Sequence, residues 1–454
     1  MNVLVMMLDS LRPDFLGCGG HGVVQTPHID RIAAEGILFR NAYAEYPITV
    51  PSRTALVSGN YTFTNRPWCP LRNYDMHIAE VLHGAGFLTA AFSDTPFQEN
   101  SNMHRGFDVF RFFPEGKCHK PVADVDCDIP HAYYPDFAPE AELHFFPNTI
   151  KNRHYALKTY GRACPELLFD SAIEWLEEHH DEDFFLWIDS FEPHEPWCPP
   201  PPYDTMYRSR EPERYIPFPV GPSSDWMTAE DRRHVLENYM GDVTHTDEQV
   251  GNVMEALETL GIKDRTLVFV LSDHGEPFGE HGTVRKYGVP VYDELAKMVF
   301  VVRLPGLVQR GVVSDALVQN VDFATTLADV LELPLPPRKG EVVRADKRRP
   351  SITHDYDGVS LVPLLRGEAD EVREAAFIGG FGLRAGIRKG PWKMIDNRGE
   401  KPNELFNLDE DPEEKRNLFE HEANLARELH RRLWQFQARW NVSLAWRDKP
   451  VGQA

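Results

Sequence analysis

Apolar residues along this chain fall into short continuous runs separated by stretches of helical spacing. Val3–Leu8, Phe87–Phe92, Phe184–Ile188, Thr266–Leu271 (TLVFVL) and Met298–Arg303 are runs of this kind. Their length and their bounding turn residues predict strands buried on both faces. His28–Glu35, Met76–Gly86, Leu167–His179 and Met240–Leu260 repeat apolar residues at helical intervals, the first of them between Pro27 and Gly36, and predict helices. Buried strands alternating with helices imply an α/β fold, a large and mostly parallel sheet sandwiched by helices.

Two stretches break the rhythm. Residues 104–160 are rich in Phe, Tyr, Pro and His without clear periodicity, and a second excursion runs from Pro199-Pro200-Pro201-Pro202 to about Pro222. Long ordered loops of α/β enzymes shape binding sites; Tyr133, Tyr134, Phe145 and Phe146 are therefore candidates for a pocket lining an aryl or sugar group, or equally for packing on the sheet or a subunit interface. Arg338–Arg349 reads as a solvated connector. Beyond about residue 370, short strand-like pieces (Ala376–Gly380, Leu383–Arg388, Trp392–Ile395, Leu405–Leu408) lead into an amphipathic helix around Leu418–Trp440. The expected division is a catalytic α/β domain over 1–368 and a smaller α+β subdomain over 369–454.

Composition narrows the function classes. The 454 residues carry 48 Lys plus Arg against 70 Asp plus Glu, a formal charge of −22. That field repels phosphate backbones and anionic lipid, so neither nucleic acid nor a membrane is an expected partner. No apolar run reaches the length of a membrane span, and Met1–Leu8 has no basic flank, so it reads as a first strand rather than a leader. The six cysteines are scattered without a CxxC pair, which suits a reducing compartment. The expectation is a cytoplasmic protein, with room for a homo-oligomer.

In open α/β sheets, ligands bind beyond the carboxyl ends of the strands. Asp9 ends the first predicted strand, Asp273-His274 ends Thr266–Leu271, and Asp189 and His194 follow Phe184–Ile188. Carboxylates and an imidazole converging there suit a divalent cation.

The stretch Thr49-Val50-Pro51-Ser52-Arg53, continuing to Leu56 and Gly59, resembles the signature of the sulfatase family of the alkaline phosphatase superfamily, in which Cys or Ser precedes x-Pro-Ser-Arg. Thr26–Gly36 resembles the family's stretch upstream of its nucleophile, and Ser272-Asp273-His274-Gly275-Glu276 through Gly279-Glu280-His281-Gly282 to Lys286 resembles its second metal-binding block. Leu405–Leu408 with Asp411-Pro412-Glu413 is similar to its C-terminal block. The resemblance implies an alkaline-phosphatase-like sheet with a small C-terminal four-stranded domain. It makes Asp9, Asp273 and His274 metal ligands, with Thr49 beside them as nucleophile. It assigns Arg53 to orienting the nucleophile and offsetting its charge, and Lys286 and His194 to holding the substrate oxyanion and assisting the leaving group. Thr244–Asp247, which also recurs in the family, and the pair Glu280 and His281 are better explained by packing, capping and loop bracing.

Two departures from that pattern are informative. Sulfatases oxidise the Cys or Ser at the position of Thr49 to formylglycine; threonine carries an extra methyl on Cβ, so its oxidation would give a ketone and the route is closed. A metal-activated threonine is what phosphodiesterases and phosphonoacetate hydrolases of the superfamily use, and the pattern is nearest to the phosphonate monoester hydrolases. The expected reaction is hydrolysis of small anionic phosphate or phosphonate mono- or diesters. A sulfate-ester hydrolase without formylglycine and a catalytically inactive relative are the alternatives. Ser10 replaces the second of two consecutive aspartates found in many sulfatases. With one nitrogen ligand and fewer carboxylates, the site suits Mn2+ or Zn2+ better than Ca2+. Asp189, His194 and His281 lack the spacing of a second site, so one metal ion is expected.

Overall fold

In the computed structural model the described residues are 1–454 except 65, 67, 97–99, 118–119, 287, 289–290, 337–355, 381–383 and 439–454. The strands of the large sheet are β1 (Asn2–Leu8), β2 (Ile37–Tyr43), β3 (Leu88–Ser93), β4 (Val109–Phe112), β5 (Phe184–Ser190), β6 (Thr266–Ser272), β7 (Phe300–Arg303) and β8 (Val312–Gln319). They lie in the order β4-β3-β5-β1-β6-β7-β2-β8. β7 runs antiparallel to both β6 and β2, and the other pairings are parallel. The helices are α1 (Pro27–Glu35), α2 (Thr49–Ser58), α3 (Ile78–Gly84), α4 (Phe145–Tyr160), α5 (Cys164–His179), α6 (Tyr203–Met206), α7 (Ala229–Thr259), α8 (Asp293–Ala296), α9 (Asp322–Val330), α10 (Val362–Leu365) and α11 (Ala423–Ala438).

Strand alternation divides the core. Leu4, Met6 and Leu8 pack on one face of β1 with residues of α1, α5 and α7, while Val3, Val5 and Met7 pack on the other with α2, α3 and α9. Every residue of β1, β5 and β6 is buried, as continuous apolar runs covered on both faces require. A four-stranded antiparallel sheet follows, formed by β9 (Ala376–Gly379), β10 (Ala385–Lys389), β11 (Trp392–Asp396) and β12 (Glu404–Asn407). Ile387, Met394 and Leu405 of this sheet close on Ala426, Leu429 and Leu433 of α11.

Three expectations are revised. The aromatic stretch contains β4 and all of α4, whose regular turns were masked by residues of mixed polarity. Its rings pack internally: Phe145 stacks on Phe218 with centroids 5.1 Å apart, Tyr133 lies beside Trp226 at 6.3 Å, and Phe146 is buried. The helix expected from Met240 begins at Ala229, where Thr228 and Asp231 cap each other's backbone N–H groups in a capping box. β2 and β8, absent from the sequence reading, complete the sheet. The connector Arg338–Arg349 lies outside the described residues, as do Leu383 and the last two residues of the expected C-terminal helix. Among the described residues, no helix is long and apolar enough to cross a membrane.

Candidate active site

The site is set by register. Leu8 pairs with Ser190 on one side and with Ser272 on the other, so the residues just past β1 and β6 emerge side by side. Asp9 continues the ladder, its N–H donating to the Ser190 carbonyl at 3.0 Å. Asp9, Asp273 and His274 are fully buried, and each offers a ligand atom within 4.8 Å of the others. Among the described residues this is the one cluster of three or more such groups.

These side chains fit a divalent cation. His274 Nε2 is buried without a hydrogen-bond partner, and such an atom calls for a ligand. Asp9 Oδ2 accepts no hydrogen bond either, its neutralising neighbour being Arg53 Nη1 at 3.0 Å. His274 Nδ1 lies 2.7 Å from the Gly275 carbonyl; donation there leaves Nε2 as the lone-pair nitrogen. Burial, helped by nearby Lys286, lowers the His274 pKa to about 3, which keeps the imidazole neutral as a metal ligand must be.

Ser10 clamps both carboxylates. Its hydroxyl donates to Asp9 Oδ1 at 2.8 Å and its N–H to Asp273 Oδ1 at 3.0 Å. To do so the residue adopts a left-handed backbone, φ 62, unusual for a non-glycine residue. Its carbonyl accepts from Tyr239 Oη at 2.8 Å, which helps to hold it there. The serine that departs from the family's paired aspartates is thus an organiser of the ligands.

Thr49 is the first residue of α2, after an extended Ile48 (φ −158, ψ 148), and is 2 % exposed. Pro51 falls in the first turn, where its missing N–H leaves no helical bond unmade. The unpaired N–H groups and the dipole of that terminus favour negative charge at Thr49. Arg53, one turn on, is buried among three aspartates. Its Nη2 is 2.7 Å from Asp189 Oδ1, and its Nη1 is 3.0 Å from Asp9 Oδ2 and also contacts Asp273. Nη1 reaches the Thr49 carbonyl at 3.4 Å. Three carboxylates and one guanidinium leave a formal charge of −2, the complement of a divalent ion. Asp189 is held by Arg53, Thr95 and the Trp187 indole.

Lys286 is buried, with Nζ 3.4 Å from Ser10 Oγ, 3.6 Å from Glu276 and 3.9 Å from Glu195. Burial and repulsion from Glu195 push the Glu276 pKa up to about 8. For Glu195, burial acts upward, but His194, Lys286 and Arg285 hold it well below the usual carboxylate range. His194 is buried, stacked on Phe191 at 3.9 Å, with Nδ1 2.6 Å from the Glu195 carbonyl. Burial lowers its pKa to about 3 against the pull of Glu195, so the resting group is a neutral imidazole.

The structure therefore brings Asp9, Asp273, His274, Asp189, Arg53, Lys286 and His194 together past the ends of β1, β5 and β6, and Thr49 adjoins them at the start of α2 through its carbonyl, 3.4 Å from Arg53 Nη1. Glu195, Glu276 and Lys117 have no role in the sequence-based expectation, although Glu195 adjoins His194 and Glu276 lies two residues past His274. Lys117, from the aromatic stretch, lies 2.5 Å from Glu192 and 2.6 Å from the His194 carbonyl and so braces the His194 loop. Capping and loop bracing account for the remaining motifs: Asp247 accepts from the N–H groups of His28 and Ile29 at the start of α1, Glu280 pairs with Arg12, and His281 lies 2.7 Å from Glu294.

A large, mostly parallel sheet with the buried Asp9, Asp273 and His274 at its strand ends, followed by a small antiparallel sheet, is the architecture of the alkaline phosphatase superfamily. The Sulfatase profile matches residues 1–333, and that for "N-sulphoglucosamine sulphohydrolase, C-terminal" matches residues 279–439. The chain belongs to the sulfatase family, whose members hydrolyse ester bonds. It is 25% identical over 483 residues to an arylsulfatase of Clostridium perfringens, covering 93% of this chain and 90% of that protein. It is 25% identical over 404 residues to the iduronate 2-sulfatase of Mus musculus, covering 74% of this chain and 70% of that protein. A phosphonate monoester hydrolase of Agrobacterium radiobacter shares the fold with a TM-score of 0.74 at 24% identity, over 97% of this chain and 96% of that one.

Proposed function

We propose that this chain hydrolyses phosphate or phosphonate mono- or diesters through a threonine nucleophile. The observation that carries this reading is Thr49, buried at the positive end of α2 and linked through Arg53 Nη1 to Asp9 and Asp273, at the position where the family's formylglycine precursor stands. Its hydroxyl is a nucleophile that cannot become an aldehyde.

A single divalent cation, Mn2+ or Zn2+ by the presence of an imidazole in the donor set, held by Asp9, Asp273 and His274 with Thr49 beside it, would lower the hydroxyl pKa and polarise the ester. The chain's own groups do the rest. Arg53 fixes α2 against the ligand carboxylates and holds the Thr49 carbonyl. The Thr49 oxygen forms a bond to phosphorus while the bond to the leaving oxygen breaks. The hydroxyl proton passes to solvent, and His194 assists the departing oxygen, which takes up a proton from solvent. Lys286 offsets charge on the non-bridging oxygens. Water then attacks the phosphothreonine, the same P–O bond to Thr49 breaks, and the hydroxyl is regenerated.

A sulfate-ester substrate is the second reading, favoured by the names of the sequence relatives. A sulfo-threonine lacks the breakdown route that a formylglycine hydrate provides, which sets it behind. The test is turnover of bis-p-nitrophenyl phosphate, p-nitrophenyl phenylphosphonate and p-nitrophenyl sulfate, each with Mn2+, Zn2+ and Ca2+. Preference for the phosphorus esters supports the proposal; turnover of the sulfate alone replaces it with the second reading.

A further inference from the structure

We propose that the cleft between the β2–β8 edge of the large sheet and the C-terminal sheet is a second, non-catalytic binding site, in which Arg388 receives an oxyanion (phosphate, sulfate or carboxylate). The cleft has a volume of about 940 Å³, and none of the catalytic residues named above lines it.

Arg388, on β10, lines this cleft and is 5% exposed. Its Nε and Nη1 are buried without a hydrogen-bond partner, and among the described residues it forms no ion pair. A guanidinium does not lose its proton inside a protein, so two buried N–H-bearing nitrogens without hydrogen bonds carry a desolvation cost that a ligand would offset. Its cross-strand neighbour aggravates this. Arg388 pairs in register with Lys393, and like charges directly opposite repel. Lys393 makes the direct contacts with the nearest acids, its Nζ lying 2.6 Å from Asp293 and 2.9 Å from Glu414. Asp293 is further engaged by the Tyr43 hydroxyl at 3.1 Å and by Lys297 at 3.4 Å. Asp293 feels Arg388 through space without a hydrogen bond to it, and the other acids on the cleft walls form no ion pair with it. Asp315 pairs with Arg40, and Glu374 pairs with Lys389 and Arg432. Asp370, Glu371 and Asp409 are exposed, where water screens them.

The missing partner is an acceptor with two oxygens in a plane, the shape a guanidinium fork matches. Lys297 and the Gln309 amide, also on the lining, add donors. A phosphate or sulfate ion and a carboxylate-bearing metabolite share this chemistry.

Inorganic phosphate, sulfate and acetate titrated separately into the metal-loaded protein distinguish these sources by thermal midpoint and calorimetry. At least one is expected to raise the midpoint saturably through Arg388. Arg388→Met should remove that rise, raise the midpoint of the anion-free protein, and leave kcat/KM and competitive inhibition by the same anion within twofold of the parent. Arg388→Lys, which keeps the charge but not the fork, should bind roughly tenfold more weakly. The proposal is overturned if none of the three anions gives a saturable shift with Arg388 present, or if the shift is the same size in Arg388→Met and Arg388→Lys as in the parent.

Discussion

Arg53 and Asp189 meet along one edge of the guanidinium, Nη2 at 2.7 Å from Oδ1 and Nε at 3.0 Å from Oδ2. Both side chains are buried, at 1% and 2% exposure. This grip leaves Nη1 facing Asp9 and Asp273, so Asp189 sets the direction from which positive charge meets the ligand carboxylates. Asp189→Asn keeps the shape and loses the charge. Breaking a buried pair in this way costs about 3 kcal/mol, to be read as a drop in urea-unfolding free energy of the metal-loaded protein. Turnover should fall by at least about tenfold, because each 1.4 kcal/mol of lost alignment is a tenfold rate effect. A variant that loses stability at full activity would show that Asp189 serves packing alone.

Thr49 carries the chemistry. Thr49→Ala is expected to lower kcat by at least about 10³-fold, as loss of a nucleophile does, with metal content unchanged by elemental analysis. Thr49→Cys restores the family's Cys-x-Pro-Ser-Arg. Produced with a formylglycine-forming maturation system, and checked for oxidation by intact mass, it should gain sulfate-ester turnover relative to the parent. Full activity of Thr49→Ala on phosphorus esters would end the mechanism.

Why the strand ends were legible and other features were not follows from burial. β1, β5 and β6 are buried on both faces, so their apolar runs stand out, and Asp9, Asp273 and His274 mark their ends by contrast. β2 carries the exposed Arg40 and half-buried Asn41 in mid-strand, which breaks its run. α4 hides because only four of its residues are buried: Phe146, Thr149, Asn152 and Ala156. The first three turns of α7 open on charged residues and show as a helix only through the Thr228–Asp231 box. Glu195 and Glu276 are unremarkable in sequence; their meaning comes from Lys286, which stands 91 and 10 residues further on and meets both in space.

His77 provides a pH test away from the metal. It caps α3, Nδ1 accepting from the Ala79 N–H at 3.1 Å, and its Nε2 lies 3.2 Å from the Met103 carbonyl. Burial, with Arg105 nearby, lowers its pKa from 6.5 to about 3. Between those values the unfolded chain binds a proton that the folded one refuses, so stability falls as pH drops below about 6.5. His77→Asn keeps a capping acceptor and cannot titrate. From pH 7 to pH 5 the parent should lose about 2 kcal/mol more than the variant in urea unfolding. Parallel pH curves for the two proteins would show that His77 is protonated as readily folded as unfolded.

Metal removal separates the donor set from the fold. Chelation should abolish turnover and lower the thermal midpoint, because Asp9 and Asp273 then repel each other with Arg53 as their remaining counter-charge. Rebinding at a hundredfold over Kd restores about 2.7 kcal/mol. Mn2+ or Zn2+ is expected to restore activity at lower concentration than Ca2+, since the neutral His274 nitrogen suits borderline metals. His274→Asn exchanges that nitrogen for an amide oxygen and should shift the Zn2+ to Ca2+ affinity ratio toward calcium by at least about tenfold. Because the substitution leaves the Ser10 clamp and the Arg53 contacts in place, the shift reports the ligand atom itself. Equal restoration by Zn2+ and Ca2+ in both proteins would mean that His274 does not touch the ion.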